Sequence, residues 1–304
     1  TVITSRGCPF NCIFCCAPKM FGRRVRFRSP ELVVDEIEMI HKELGFQRIN
    51  IVDDTLTVNH KHVHRVCHEI KRRNLDIEWS AYSRVDTVSE RLLHSMKEAG
   101  CQWLCFGIES GSQEILDRIG KGITVEKARR GVELTTRMGI KALASFILGL
   151  PGETPQSAQS TYDLALELNS EYGAAYGFHL LAPLPGTEVF EQADKYGIRI
   201  LTTDWANYDA NQPVAESVAL SAEGVREIKA RYDGAVSYAW EEIKLKALAG
   251  DCHCQQEVRE RSSQEFVWRL LKEDAIEKLG RLGAVDTPDA EAGLARRVAQ
   301  GMAC

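Results

Sequence analysis

Across residues 1 to about 200, short apolar runs of β character alternate with longer stretches whose apolar positions recur every three or four residues. The runs at 2–5, 48–53, 77–83, 103–108, 141–149 and 174–181 predict strands. Between them, Ser29-Pro30-Glu31 reads as N-cap, first-turn proline and dipole-favouring acid. It opens a helix with Leu32, Val33, Ile37, Ile40 and Leu44 on its apolar side, and Gly45 stops it. Further helices are predicted at 61–73, 90–99, 125–138, 155–168 and 188–196. Strands and helices alternating in this way imply an α/β fold with parallel pairing and helices outside. The rhythm alone allows either an open sheet or an incomplete barrel. Beyond Gly197 it changes, and residues 221–249, 264–282 and 287–301 read as helices with no clear strands between them. The expected organisation is a core domain over 1–200 and a helical region over 201–304.

Composition narrows the function. Hydrophobic residues at 44% and charged residues at 27% can fill a full core. A formal charge of −5 gives no basic footprint for nucleic acid. The segment Arg23-Arg24-Val25-Arg26-Phe27-Arg28 is a local exception, readable as a solvated loop or as a contact for anionic substrate groups. Ten cysteines without a signal peptide point to a reducing interior, so cytoplasm is expected and thiols serve metals rather than disulfides. The longest apolar run, at 142–150, is too short to span a bilayer. The chain opens on Thr1-Val2-Ile3-Thr4 without an initiating Met and reads as a piece of something longer.

The chemistry begins at Arg6-Gly7-Cys8-Pro9-Phe10-Asn11-Cys12-Ile13-Phe14-Cys15. Cysteines spaced C-x3-C-x2-C can wrap three thiolates around one face of a 4Fe–4S cluster. Such clusters are normally held by four cysteines, so three leave one iron open to bind something else. A structural zinc loop is the bland alternative, but it needs a fourth ligand, and Cys16 is too close to Cys15 to serve. The other polar residues gather where strands end, the place where βα folds put their chemistry. They are Asp53 and Asp54, then Arg84 and Asp86, then Glu109 and Ser110, then the turn from Gly149 to Thr154.

The cysteine spacing, with an aromatic Phe14 before the third cysteine, resembles the signature loop of the radical S-adenosylmethionine superfamily. That resemblance covers about residues 1–200 and implies a partial (βα)6 barrel. It implies Cys8, Cys12 and Cys15 as cluster ligands and Asp53 and Asp54 at the amino group of S-adenosylmethionine. Glu109 and Ser110 match the ribose motif, Arg84 would meet the carboxylate or ribose, and Gly149 opens the adenine-side turn. The implied reaction is reductive cleavage of S-adenosylmethionine to methionine and a 5′-deoxyadenosyl radical. It would act on a small-molecule substrate, with a reductant such as flavodoxin or ferredoxin. No general acid or base can be assigned.

The cysteine loop, the Asp-Asp pair and Gly107-Ile108-Glu109-Ser110-Gly111-Ser112 look most like the cobalamin-dependent branch, which includes methyltransferases and an anaerobic ring cyclase. The branch's D-x-H-x-x-G cobalamin motif does not occur in this chain. A methylthiotransferase or another cobalamin-independent radical enzyme is the rival, and a plain iron–sulfur electron carrier the more distant one.

Each site residue also has a structural reading. Asp53 or Asp54 could cap a helix, Arg84 could simply pair with Asp86, and the glycine-rich turn could only feed a helix. His60, His64 and His68 share one helix face that reads as solvated. Cys67, Cys101 and Cys105 read as small buried side chains, with Cys101 and Cys105 on one side of a strand. Cys252-His253-Cys254 is too tightly spaced for a good chelate.

Overall fold

A computed structural model describes residues 1–232 and isolated positions between 245 and 254. Five strands form a parallel sheet in chain order. Numbered with the two short strands that precede them, they are β3 (Arg48–Ile51), β4 (Glu78–Ser83), β5 (Cys101–Glu109), β6 (Lys141–Leu148) and β7 (Ala175–Leu180). Val2 adds a single parallel bridge to Ile51 at the β3 edge. The long helices are α2 (Pro30–Lys42), α3 (His60–Arg72), α4 (Glu90–Glu98), α6 (Val125–Arg137) and α7 (Pro155–Tyr172). Short helices α1 (Ala17–Phe21), α5 (Gln113–Arg118) and α8 (Glu188–Glu191) complete the set.

This order resolves the choice that periodicity left open. Doubly wound sheets reverse strand order at a switch point. Here the order never reverses, and right-handed crossovers therefore put every helix on the same face. The other face becomes the inside of an incomplete barrel. Burial alternates accordingly. Trp79, Ala81, Leu104, Phe106, Ala142, Ala144, Phe146 and Leu148 are buried on the helix side, whereas Ser80, Cys105, Gly107, Leu143 and Ser145 on the inner face are only half-buried.

Several elements depart from expectation for local physical reasons. Residues 2–5 do not form a strand beyond the Val2 bridge. The chain leaves the sheet, and β1 (Ser5–Arg6) pairs antiparallel with β2 (Arg26–Phe27), clamping both ends of the cysteine loop. In α2 the Ser29 cap forms, but Leu32 and Leu44 are exposed and Val34 takes their place in the core beside Val33 and Ile37. A register shift at Trp79/Ser80 skips a residue of β5, so Cys101 is buried while Cys105 faces the open side. Cys67 lies in the core as its helix face requires.

The first compact unit runs Thr1–Asp233, past the boundary expected at 200. Leu220, Val225 and Tyr232 are buried in the barrel's core, and the Tyr232 ring stacks on Tyr162 with centroids 4.2 Å apart. A hairpin of β8 (Ile198–Ile200) and β9 (Ala215–Ser217) precedes a helix over 222–232. Residues 233–244 of the helix predicted at 221–249, and the helices predicted at 264–282 and 287–301, lie outside the described residues, while Leu245 and Lys246 are helical. Among the described residues no helix is long and apolar enough to cross a membrane.

Helix α6 sits unusually close to the turn after β4. A Cβ built on Gly131 would stand 2.6 Å from the Val85 carbonyl oxygen and 2.7 Å from Val85 Cβ. Gly131→Ala should gain up to about 1 kcal/mol of helix propensity. The overpacking costs about 1–3 kcal/mol, so the backbone clash should win. We expect a net loss of stability, read from the urea midpoint; an unchanged or raised midpoint would show that α6 can back away.

Candidate active site

The cysteine loop is laced down from three sides. Cys8 N–H donates to the Gly22 carbonyl at 3.2 Å, Ile13 N–H to Ile119 at 3.0 Å, and Val189 N–H to the Ile13 carbonyl at 3.1 Å. Gly7, with φ +104°, has to be glycine, since a Cβ there would lie 2.7 Å from the Arg24 carbonyl oxygen. Phe14 packs against the core and anchors the third cysteine. Cys8, Cys12 and Cys15 are all free thiols. Burial pushes the Cys15 thiol up to about 11. Burial also raises Cys12, against the opposing positive charges of Lys121 and Arg84. Buried thiols of this kind become thiolates when a cation replaces the proton, which iron does. Among the described residues no group of three or more His, Cys, Asp or Glu is close enough to hold one metal ion. A cubane asks less, because its cysteines bind different irons.

The two aspartates after β3 separate sharply. Asp53 is buried and accepts three hydrogen bonds of 2.6 Å, from Thr4 N–H, Thr4 Oγ1 and Ser5 Oγ. His62 Nε2 in turn lies 3.1 Å from Thr4 Oγ1, and burial holds that imidazole below its ordinary value and neutral. Asp53 is thus committed to the chain itself. Asp54 is half-buried, and among the described residues its carboxylate accepts only Gly7 N–H, at 3.2 Å. Neither aspartate caps α3; Asn59 does, accepting His62 N–H at 3.1 Å. Thr55 Oγ1 stands 3.9 Å from Cys8 Sγ.

On the other side of the loop, charged groups converge around Cys12. Arg84 is 4% exposed, bonds Asp86 through two nitrogens at 2.9 and 3.0 Å, and donates to the Lys121 carbonyl at 2.9 Å. Its guanidinium also lies 3.6 Å above the Phe10 ring of the cysteine loop. The Arg84–Asp86 pair therefore exists, with the guanidinium buried and the aspartate reaching it from the exposed side. Glu109 accepts Lys121 Nζ at 2.7 Å, with both side chains under 10% exposed. At the end of β5 a register shift places Glu109 at φ +76°, a left-handed conformation unusual for a glutamate. Gly107 makes room for the pair, because a Cβ there would sit 2.4 Å from Glu109 Oε1.

Ser110 and Gly149 serve the rim from beneath. Ser110 is fully buried, with its hydroxyl 3.1 Å from Thr161 Oγ1 and accepting Ser112 N–H at 3.1 Å. It pins the β5–α5 loop to α7 rather than pointing outward. Gly149, at φ +84°, donates its N–H to Glu153 Oε2 at 2.5 Å. Glu153 is fully buried, its Oε1 has no hydrogen-bond partner among the described residues, and burial pushes its carboxyl up to about 8.

Thus the fold brings Cys8, Cys12, Cys15, Asp54, Arg84 and Glu109 to one rim, while Asp53 and Ser110 act as internal braces. Two residues escaped the sequence reading. Lys121 carried a visible signal, a long cation between Gly120 and Gly122, both at positive φ. His62 carried none: it lies off the 60, 64, 68 stripe, in which His60 and His68 are exposed and His64 half-buried. Of the Cys252-His253-Cys254 run, Cys252 is exposed, Cys254 is buried, and His253 lies outside the described residues.

The family model "Radical SAM superfamily" matches residues 2–165, and the chain belongs to that superfamily. Its members use a 4Fe–4S cluster and S-adenosylmethionine. An uncharacterized methyltransferase, PH0819, from Pyrococcus horikoshii is 40% identical over 227 residues, covering 75% of this chain and 49% of that protein. The anaerobic magnesium-protoporphyrin IX monomethyl ester cyclase of Rubrivivax gelatinosus is 31% identical over 218 residues, covering 71% of this chain and 38% of that protein. The chain therefore spans at most about half the length of these relatives. Among solved structures, the radical S-adenosylmethionine methyltransferase TsrM from Kitasatospora setae, with cobalamin and a 4Fe–4S cluster bound, aligns with a TM-score of 0.59 at 24% identity. That match covers 74% of this chain and 42% of TsrM, and it shows a shared fold.

Two expectations follow. Lys121→Met strands a buried Glu109 carboxylate and should destabilise by about 3–5 kcal/mol, while adding Glu109→Gln should restore most of the loss. Chemical denaturation of the two variants checks this, and equal losses would mean that the pair is not coupled. For Glu153, the folded carboxyl titrates near 8 against an ordinary value of 4.5, so the native chain keeps a proton that the unfolded chain has released. Its contribution to stability is fully present below pH 4.5, is lost as pH rises toward about 8, and stays flat beyond. Glu153→Gln should accordingly be more stable than wild type at pH 8, with the gap closing toward pH 4.5 in melting-temperature profiles.

Proposed function

We propose that this chain carries the catalytic barrel of a cobalamin-assisted radical S-adenosylmethionine enzyme of the methyltransferase or ring-cyclase type, acting on a small molecule. The observation that carries the reading is the three-cysteine loop whose middle cysteine faces Lys121, Arg84 and Glu109. When bound, the reduced cluster supplies one electron to the sulfonium of S-adenosylmethionine, breaking its C5′–S bond to give methionine and a 5′-deoxyadenosyl radical.

The chain's own residues position that ligand. Lys121 and Arg84 supply positive charge for the α-carboxylate, which is otherwise compensated internally by Glu109 and Asp86. Asp54, with one hydrogen bond, is the aspartate left to meet the α-amine, and Glu109 is placed for the ribose hydroxyls. Gly149, held by Glu153, shapes the turn for the adenine. The methyltransferase or cyclase type is supported by the relatives, and cobalamin by the likeness to TsrM, whose solved structure holds it. The electron comes from an external one-electron reductant, and the expected compartment is the cytoplasm.

The test is direct. Anaerobically reconstituted protein with a reductant should convert S-adenosylmethionine to 5′-deoxyadenosine, and Cys12→Ala should reduce this to background by mass spectrometry. Cluster-replete wild type that releases neither 5′-deoxyadenosine nor S-adenosylhomocysteine would refute the assignment.

A further inference from the structure

The hairpin enclosing the cysteine loop bears a charge pattern that the nucleoside site does not use. Its strands set Arg6 directly opposite Arg26, and Arg23 and Arg24 lie just before β2. All four are exposed. Like charges facing each other across paired strands are destabilising. Among the described residues no carboxylate comes within ion-pair range of any of the four, whereas the next arginine, Arg28, pairs with Glu36 at 2.7 Å. The chain as a whole has a formal charge of −5, so this is a concentrated cationic face on an acidic molecule. Exposed Met20 and Phe27 add apolar surface nearby.

Its position is as informative as its charge. Arg23 donates to the side chain of Asn11, next to Cys12, and the Arg24 carbonyl packs against Gly7, next to Cys8. The arginine turn is therefore built onto Asn11 and Gly7, the neighbours of two of the three cysteines. The face thus lies beside the residues that would hold the cluster.

We propose that this face docks a small acidic one-electron carrier protein, the reductant of the cluster; this rests on the radical-enzyme reading above. One electron leaves the reduced carrier and enters the oxidised cluster, and no bond is made or broken in the docking step. Transient redox complexes bury little area and rely on electrostatic steering, which suits an exposed arginine face with no counterions of its own. The net negative charge elsewhere repels an acidic partner and directs it to this face.

The test uses the full chain with its cluster reconstituted. Arg6 and Arg24 are the residues to reverse, because their side chains make no hydrogen bond among the described residues. A bacterial flavodoxin is the probe. Its binding should weaken about tenfold or more in the Arg6→Glu/Arg24→Glu variant, and in wild type as salt is raised from roughly 20 to 200 mM. Arg6→Lys/Arg24→Lys should retain binding. Flavodoxin-driven formation of 5′-deoxyadenosine should fall in parallel, while the dithionite-driven rate stays at the wild-type level. Unchanged flavodoxin affinity in the charge-reversed variant would overturn the proposal. Equal losses with flavodoxin and dithionite would overturn it too, assigning the arginines to an anionic substrate or to the loop itself. If wild type cleaves no S-adenosylmethionine with either reductant, the functional reading fails, and interferometry of the flavodoxin complex still decides the docking.

Discussion

The Asp53 carboxylate fixes the point where the chain leaves the sheet. Three short hydrogen bonds from Thr4 and Ser5 gather residues some fifty positions away in sequence and aim the following backbone at the cysteine loop. A carboxylate buried without such donors would be strongly disfavoured, so the hydrogen bonds and the burial require each other. Neutral His62 closes the network from α3. The hairpin, the cysteine loop and the placement of Asp54 against Gly7 follow from this exit.

Much of the architecture was readable because its signals are local. The Ser29 cap and the strand–helix rhythm from residue 30 to about 180 rest on a few consecutive residues each, and these are found where expected. What escaped depends on partners distant in sequence. Asp53 and Asp54 look equivalent in a row of letters, and only the return of Thr4 and Ser5 to the β3 edge separates a brace from an available carboxylate. Ser110 was expected at the ribose but is drawn beneath the loop by Thr161 of α7. The shift in β5 that parts Cys101 from Cys105 arises from pairing with β4, which no single-strand periodicity encodes.

The buried charges obey one rule on both sides of the loop. Each cation has a carboxylate of its own, Lys121 with Glu109 and Arg84 with Asp86, so the rim holds positive charge without carrying it unpaired. Such an arrangement suits a zwitterionic ligand, which can exchange with the internal partners without leaving a naked ion behind. Glu153 follows the opposite course, having no cation and keeping its proton instead. The arginine hairpin is the exception, and its position outside the rim is what sets it apart.

The turn that carries Lys121 also touches the cysteine loop. Ile119 receives the Ile13 amide, and a Cβ on Gly120 would lie 3.0 Å from the Asn11 carbonyl oxygen. One short strap therefore belongs to both halves of the pocket. Under the proposed function, any factor by which cluster occupancy tightens nucleoside binding through that strap is also the factor by which the nucleoside protects the cluster. Resistance to oxygen and affinity for the cosubstrate would then be two measures of a single mechanical joint.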